Sequence, residues 1–141
     1  MPLQSKFAFL SAIITILLFL RLAKKAFKFC NKEFSMPAEN LIGFITTKGK
    51  EEAKKIADAL LQKKLIACAN IIDNIESSYW WKGKIENSAE ALLMIKTVRG
   101  KEQEIIKTVE QLHSYETPVI EFVIVHSANA ASVEWIKKEL K

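Results

Sequence analysis

Residues 66–97 read IACANIIDNIESSYWWKGKIENSAEALLMIKT, and this stretch decides the fold. Its first part, Ile66–Trp81, is rich in β-branched and aromatic residues and predicts a long strand, bent at the polar pair Asp73-Asn74. Lys82-Gly83 is a strong turn signal, because glycine permits the positive φ that a two-residue hairpin turn requires. Lys84–Thr97 then runs back with a second apolar stretch. The segment therefore predicts one long β-hairpin.

The sequence on either side of this hairpin alternates between strand and helix patterns. Upstream, Leu41–Thr47 is a short apolar run that predicts a strand buried on both faces, and Lys50–Lys64 repeats apolar residues at helical spacing. Downstream we expect a second amphipathic helix, a strand and a short terminal helix, at Lys101–Leu112, Val119–Val125 and Ser132–Leu140.

The order β-α-β-β-α-β with a C-terminal helix predicts an α+β fold of the ferredoxin-like sandwich type. Right-handed crossovers would place the first two helices of this domain on one face of a four-stranded antiparallel sheet. The other face would then stay open, together with the aromatic hairpin tip. We expect self-assembly to cover this apolar surface.

The net positive charge of the chain is concentrated at its N-terminus. The chain has 141 residues, with 21 Lys and Arg against 16 Asp and Glu. Residues 1–33 hold six basic residues and one acid, so residues 34–141 hold 15 of each sign. This balance argues against nucleic acid as a partner. Only two cysteines are present, too few for a disulfide framework, so the fold depends on its apolar core.

We interpret residues 1–33 as a hydrophobic leader with a basic flank, followed by a linker at 34–40 and the globular domain at 41–141. Residues 7–20 contain no charge, and the apolar character continues to residue 27. A hydrophobic helix over residues 7–27 would be a signal anchor, and the positive charges after it predict a membrane-anchored protein with a cytoplasmic domain. The alternatives are a secretory or mitochondrial leader whose removal leaves a soluble protein, and a buried N-terminal helix.

Residues that carry chemistry are few, and most of them lie in the segment HSYETP at 113–118. It places an imidazole, a phenol and a carboxylate between a predicted helix and a predicted strand, where loops often carry function. Alternatively, His113 caps the last carbonyls of the helix and Tyr115 packs in the core. Cys68 lies within a strand pattern, where a small buried hydrophobe is a more frequent role than a metal ligand or a reactive thiol.

These motifs together resemble the CutA family, the divalent-cation tolerance proteins, over residues 41–136. The resemblance is carried by ACANII at 67–72, SYWWKGKIE at 78–86, MIKT at 94–97, HSYETP at 113–118 and the closing Trp135-Ile136. It implies a ferredoxin-like protomer in a homotrimer, with the hairpin reaching across to neighbouring subunits. It also implies that the protein is not an enzyme.

The resemblance further implies a divalent metal ion such as Cu(II), because family members are associated with copper and with tolerance to divalent ions. Candidate ligands are His113, Glu116 and Cys68. The chain departs from the family at two relevant positions. Ser114 replaces the usual proline of the histidine motif, and Ile45 stands where some bacterial members carry a metal-binding cysteine.

Two functions follow from the resemblance. The first is a non-enzymatic, trimeric protein involved in copper or other divalent metal binding or tolerance. The alternative is a membrane-tethered, PII-like ligand sensor or a protein-anchoring scaffold, which would bind a small anion or a protein partner in an inter-subunit cleft. The cleft residues would be Trp81, Lys84, Lys96 and Tyr115. An acylphosphatase-like enzyme ranks last, because the loop at 46–49 after the first predicted strand offers a lysine but no arginine.

Overall fold

The computed structural model describes residues 39–141, which form a four-stranded antiparallel sheet and three helices. The elements in chain order are β1 (Asn40–Thr47), α1 (Lys50–Gln62), β2 (Cys68–Trp81), β3 (Lys84–Val98), α2 (Glu102–Leu112), β4 (Ile120–Ile124) and α3 (Ala130–Glu139). The strand order is β2-β3-β1-β4, with every neighbouring pair antiparallel. This is the predicted α+β, ferredoxin-like arrangement.

The long hairpin forms as the sequence predicts. Its ladder runs from Cys68 opposite Lys96 to Trp81 opposite Lys84. Lys82 and Gly83 have φ angles of 48° and 81°, the two positive values of a type I′ turn.

The predicted bend in β2 is also present. The register of β2 against β3 shifts between Ile72 and Ile75, and Asn74 lies there with φ 57°. Such an irregularity bends a strand and increases its twist. The outer part of the hairpin is therefore turned relative to the rest of the sheet.

The core lies between one face of the sheet and the helices α1 and α2. Alternate residues of β1 and β3 meet the apolar stripes of both helices there, and the central buried side chains are Ile45, Ile56, Leu60, Leu93, Ile95, Ile105 and Val109. The expectation that β1 is buried on both faces is wrong for the protomer. Its residues alternate between buried and partly exposed from Leu41 to Thr47, because both crossover helices pack on the same side.

Gly43 of β1 lies opposite Ile95 of β3 in this core. A Cβ atom at this position would lie 2.7 Å from Cγ1 and 2.9 Å from Cδ1 of Ile95, well inside normal contact distance. The Ile95 side chain thus fills the space that any larger residue at position 43 would need. Glycine is required here by packing.

The opposite face of the sheet and the hairpin tip carry exposed apolar side chains in the protomer. Trp80 is 73% exposed and Ile85 is 61% exposed at the tip, and Ile72 and Val123 are about half exposed on the open face. The open face inferred from the sequence is therefore present in the protomer. An apolar surface of this kind is typical of an interaction site.

The predicted leader at 1–33, with its hydrophobic helix, lies outside the described residues, as does most of the linker at 34–40. Within residues 39–141, none of the three helices has the length and apolar character that crossing a membrane would require.

Candidate functional site

His113 joins the loop after α2 to the end of β1. Its Nε2 donates a hydrogen bond to the carbonyl oxygen of Thr46 at 2.8 Å, and its Nδ1 accepts one from the backbone N–H of Tyr115 at 3.1 Å. Because a backbone N–H can only donate, Nδ1 must be unprotonated and Nε2 must carry the hydrogen. The ring is therefore neutral in this arrangement, with both nitrogens engaged. It does not cap α2; only the backbone N–H of His113 does so, by donating to Val109 at 2.9 Å.

Glu52, in the first turn of α1, connects the loop after β1 with the loop after α2. Its carboxylate accepts the backbone N–H of Lys48 at 2.9 Å and that of Ser114 at 2.8 Å. Partial burial by itself would raise the pKa of Glu52, but the hydrogen bonds from Lys48 and Ser114 outweigh it and lower the pKa below its usual 4.5. The ionised form of Glu52 therefore fixes the start of the 113–118 segment.

Tyr115 is held by Glu90 of β3. The phenol donates a hydrogen bond to Oε1 of Glu90 at 2.7 Å, and Glu90 is only 5% exposed. Burial, followed by the hydrogen bond and the negative charge of Glu90, raises the pKa of Tyr115 well above its usual 10.0. The phenol thus keeps its proton at neutral pH and acts as a fixed donor. The ring centroids of Tyr115 and His113 lie 5.0 Å apart.

A cavity of about 490 Å³ opens between the hairpin tip and the loop after α2. It is lined by Thr46, Tyr79, Trp80, Trp81, Ser114, Tyr115, Glu116, Thr117 and Val119. The cavity brings together three residues that the sequence singled out, namely Trp81, Tyr115 and Glu116. Lys84 and Lys96 do not line it.

Comparison with known proteins identifies the family of this domain. Residues 41–139 match the family described as CutA1 divalent ion tolerance protein. The chain belongs to the CutA1 family. This confirms the resemblance drawn from the hairpin and histidine motifs.

Individual CutA1 relatives agree with this assignment. The chloroplastic protein CutA 1 of Oryza sativa is 33% identical over 107 residues, which cover 76% of this chain and 60% of the relative. The divalent-cation tolerance protein CutA of Thermococcus kodakarensis is 36% identical over 102 residues, covering 72% of this chain and 97% of the relative. The chain thus spans less than two thirds of the rice protein but nearly all of the archaeal one.

Solved structures give the same result for the fold. The crystallised periplasmic divalent cation tolerance protein CutA from Archaeoglobus fulgidus is 37% identical, with a TM-score of 0.70, and the match covers 72% of this chain and 99% of that one. The described domain therefore has the CutA1 fold.

Cys68, one of the three candidate metal ligands, lies apart from His113 within one protomer of this CutA1 chain. Cys68 pairs with Lys96 at one end of the hairpin, whereas His113 bonds to Thr46, which lies opposite Leu92 farther along β3. In the part of the chain that the structure describes, no three His, Cys, Asp or Glu side chains are grouped as a metal site would need. The described residues of one protomer therefore do not by themselves fit a metal centre.

Sequence reasoning missed two residues that shape the site, Glu52 and Glu90. In the sequence, Glu52 resembles a solvent-facing helix residue. Its partner Ser114 is 62 positions away, so no local pattern shows the pairing. Glu90 offers a weak signal, since it is an acid directly before the apolar run that begins at Ala91. Its partner Tyr115 is 25 positions away, so the pairing becomes visible only in the fold.

Proposed function

We propose that this chain is a non-enzymatic, homotrimeric CutA1 protein that contributes to divalent-cation tolerance and binds copper(II) weakly through the loop after α2. The observation that carries this proposal is the family match, which spans residues 41–139 and includes the complete 113–118 segment. The placement of His113 and Glu116 in this loop is consistent with it.

Copper binding through His113 would exchange one hydrogen bond for a metal bond. The imidazole is already neutral, as a metal ligand must be. We expect Nδ1 to bind the metal, because the hydrogen bond that it accepts from Tyr115 is longer than the one that Nε2 donates to Thr46. Glu116 is exposed in the same loop. Because residues 39–141 group so few ligands, we expect a second protomer to complete the site, and Cys68 is the thiol that the described domain could provide.

Isothermal titration of copper(II) into the 141-residue chain tests this proposal. We expect micromolar affinity or weaker, about 8 kcal/mol, and weaker binding as the pH falls through about 6.5, where an ordinary histidine protonates. His113→Ala should weaken binding at least about tenfold. His126→Ala is the matched control, because His126 is exposed and distant in sequence from the loop. Parent-like binding by His113→Ala would contradict the metal proposal.

The homotrimer is part of this proposal, and the exposed apolar tip of the hairpin supports it. Trp80 and Ile85 are mostly exposed in the protomer, where a neighbouring subunit would bury them. Sedimentation equilibrium at micromolar concentration should return three protomers. A monomer under these conditions would contradict this part of the proposal.

We also propose that residues 7–27 anchor the protein to a membrane with its domain on the cytoplasmic side. The uncharged run at 7–20 and the basic residues after it support this arrangement. Deletion of residues 2–27 should release the protein from membranes while its circular dichroism keeps the signature of a folded domain. Release of the undeleted chain by carbonate would contradict the anchor.

A second candidate function, ligand sensing, is favoured by the cavity between the hairpin tip and the loop after α2. Its volume of about 490 Å³ is in the range of small-molecule sites. Neither Lys84 nor Lys96 of the same protomer lines it, so the anion-binding cleft expected from the sequence would need these lysines from a neighbouring subunit.

A further inference from the structure

The bulge in β2 divides the hairpin into a helix-backed part and an outer part, residues 75–89. Two residues of β2, Asp73 and Asn74, lie there opposite the single residue Ala91 of β3. Asn74 has φ 57°, a conformation that side chains other than glycine rarely adopt, and the ladder is interrupted at this point. Beyond the bulge most side chains are exposed in the protomer. Core packing therefore does little to fix the direction of the outer part.

Glu90 lies next to this bulge on its outer side, where it pairs with Ile75. It is only 5% exposed, and its Oε1 accepts the phenol hydrogen of Tyr115 at 2.7 Å. A carboxylate that is removed from water needs such a partner, and hydrogen bonds to ionised groups are among the stronger ones in proteins. The outer part of the hairpin is thus attached at its base to the loop after α2.

This loop is itself attached to the body of the domain. The backbone N–H of Tyr115 donates to Nδ1 of His113 at 3.1 Å, and Nε2 of the same ring donates to the carbonyl oxygen of Thr46 at 2.8 Å. Glu52 of α1 holds the loop as well, through the backbone N–H of Ser114 at 2.8 Å. A continuous series of hydrogen bonds therefore runs from the base of the outer hairpin to β1, with a second attachment to α1.

The direction of the outer hairpin decides where its apolar tip lies. Ile85, at the tip, is five positions from Glu90 along β3, which corresponds to about 17 Å of extended strand. Over that length, a rotation of about 15° at the base moves the tip by about 4 Å, nearly the spacing between two strands. Trp80, 73% exposed, lies at the same tip, and the proposed homotrimer would bury it. Close packing of such a side chain against a neighbour does not tolerate a shift of this size.

We propose that Tyr115 and Glu90 are positioning residues for assembly. Their hydrogen bond fixes the direction of the outer hairpin, so that its tip meets a second copy of this chain as a preorganised surface. Preorganisation favours association, because less conformational freedom is lost when the subunits meet. The proposal rests on the homotrimer proposed above, and it involves neither the metal nor a ligand in the cavity.

Distances between two spin labels measure the direction of the outer hairpin. The two natural cysteines are replaced by serine, and labels are attached at Glu86→Cys on β3 and Lys55→Cys on α1, both exposed positions. Labelled chain is refolded with a large excess of unlabelled chain, so that a trimer carries one labelled subunit. We expect a narrow distance distribution in the parent and a broader or shifted one for Tyr115→Phe and Glu90→Ala. Glu90→Gln should resemble the parent, because its amide oxygen can still accept the phenol hydrogen.

Subunit exchange measures the consequence for assembly. Trimers that carry a donor dye at the same α1 position are mixed with trimers that carry an acceptor dye, and the appearance of energy transfer reports dissociation. Exchange should be at least about tenfold faster for Tyr115→Phe and Glu90→Ala, the effect of losing one hydrogen bond to a charged group. Glu90→Gln should exchange at close to the parent rate. Gly43→Ala is the matched control, because its new methyl group would disturb the core at Ile95 and Phe122 instead.

Four results would overturn the proposal. Parent-like distances and exchange for Tyr115→Phe would do so and leave the homotrimer standing. Equally fast exchange of Gly43→Ala would show that lost stability, and not the direction of the hairpin, governs dissociation. An effect of Glu90→Gln as large as that of Glu90→Ala would assign the effect to the charge of Glu90. A monomeric parent would contradict the homotrimer and with it the role in assembly, whereas the spin-label distances would still measure the attachment of the hairpin, so the two failures are distinguishable.

Discussion

The two halves of β3 belong to one strand and pair with the same neighbour, yet their surroundings differ. In the helix-backed half, residues 91–97, every second side chain is fully buried, including Leu93 and Ile95. In the outer half, residues 84–89, which together with 75–83 we call the arm, most side chains are exposed. Backbone pairing with β2 continues through both halves. The comparison teaches that backbone hydrogen bonds to β2 are enough to form the strand. Side chains of the strand are buried only where helices pack on its face.

The largest expected effect contrasts a buried and an exposed apolar side chain on this strand. Leu93→Ala removes a fully buried group and should lower the free energy of unfolding by about 2–5 kcal/mol. Ile85→Ala in the arm removes a side chain that is 61% exposed and should cost less than about 0.5 kcal/mol in the protomer. Urea denaturation at a protein concentration low enough to keep the chain monomeric measures both values, and similar losses would contradict the comparison.

Glu90 lies where the two halves meet, and its bond to Tyr115 gives the next largest effect. Tyr115→Phe removes a hydrogen bond to a buried carboxylate and should cost about 1.5–3 kcal/mol. Because the pKa of Tyr115 is raised in the folded protein, its contribution is present below the usual value of 10.0 and is lost as the pH rises above it. Denaturation between pH 8 and 11 should show this decline in the parent and a flatter profile in Tyr115→Phe. Tyr79→Phe is the control; the same flattening there would argue against the assignment.

Gly43 of β1, which lies opposite Ile95, tests the packing of the helix-backed half of β3. Gly43→Ala would press a methyl group against Ile95 and should destabilise by about 1–3 kcal/mol. Gly49→Ala is the matched control, because nothing lies within 4 Å of its position. Adding Ile95→Val, which removes Cδ1, should recover part of the loss in the double variant. A Gly43→Ala protein as stable as the parent would show that this part of the core yields easily.

The smallest effect concerns Glu52, which holds the loop beside the arm. Glu52→Gln should cost about 0.5–1.5 kcal/mol at neutral pH. The pKa of Glu52 is lowered in the folded state, so its contribution is present above the usual 4.5 and is lost as the pH falls below that value. The variant should therefore lose less stability on acidification than the parent. Glu51→Gln, in the same turn of α1 and exposed, should behave as the parent does. An equal effect of this variant would contradict a specific contribution of Glu52 to stability.

Most of the fold could be predicted from the sequence because its signals are local. The Lys82-Gly83 turn, the break at Asp73-Asn74 and the apolar periodicity of the helices each involve neighbouring residues. The observed element ends differ from the predicted ones by no more than two residues, as for β2, which begins at Cys68 rather than Ile66. Helix and strand ends depend on hydrogen bonds to other segments, which a local pattern does not contain.

The candidate site was predictable only in part. The structure places residues of the histidine motif and Trp81 of the hairpin tip around one cavity. Lys84 and Lys96, the other two residues expected in the inter-subunit cleft, do not line this cavity within one protomer. These residues are 12 positions apart on one strand, which separates them by about 40 Å. Their place in a cleft between subunits stays a prediction.

The sequence by itself determined the order of helices and strands, the hairpin with its turn and bend, and the family, since all of these are written in contiguous residues. Only the tertiary structure decided which side chains contact one another in the site. It brought Glu52 to Ser114, Glu90 to Tyr115 and the His113 ring to Thr46. It also left the two lysines outside the cavity within one protomer. Protonation and charge interactions depend on distances of a few ångströms between segments remote in sequence, and these distances exist only once the sheet has formed.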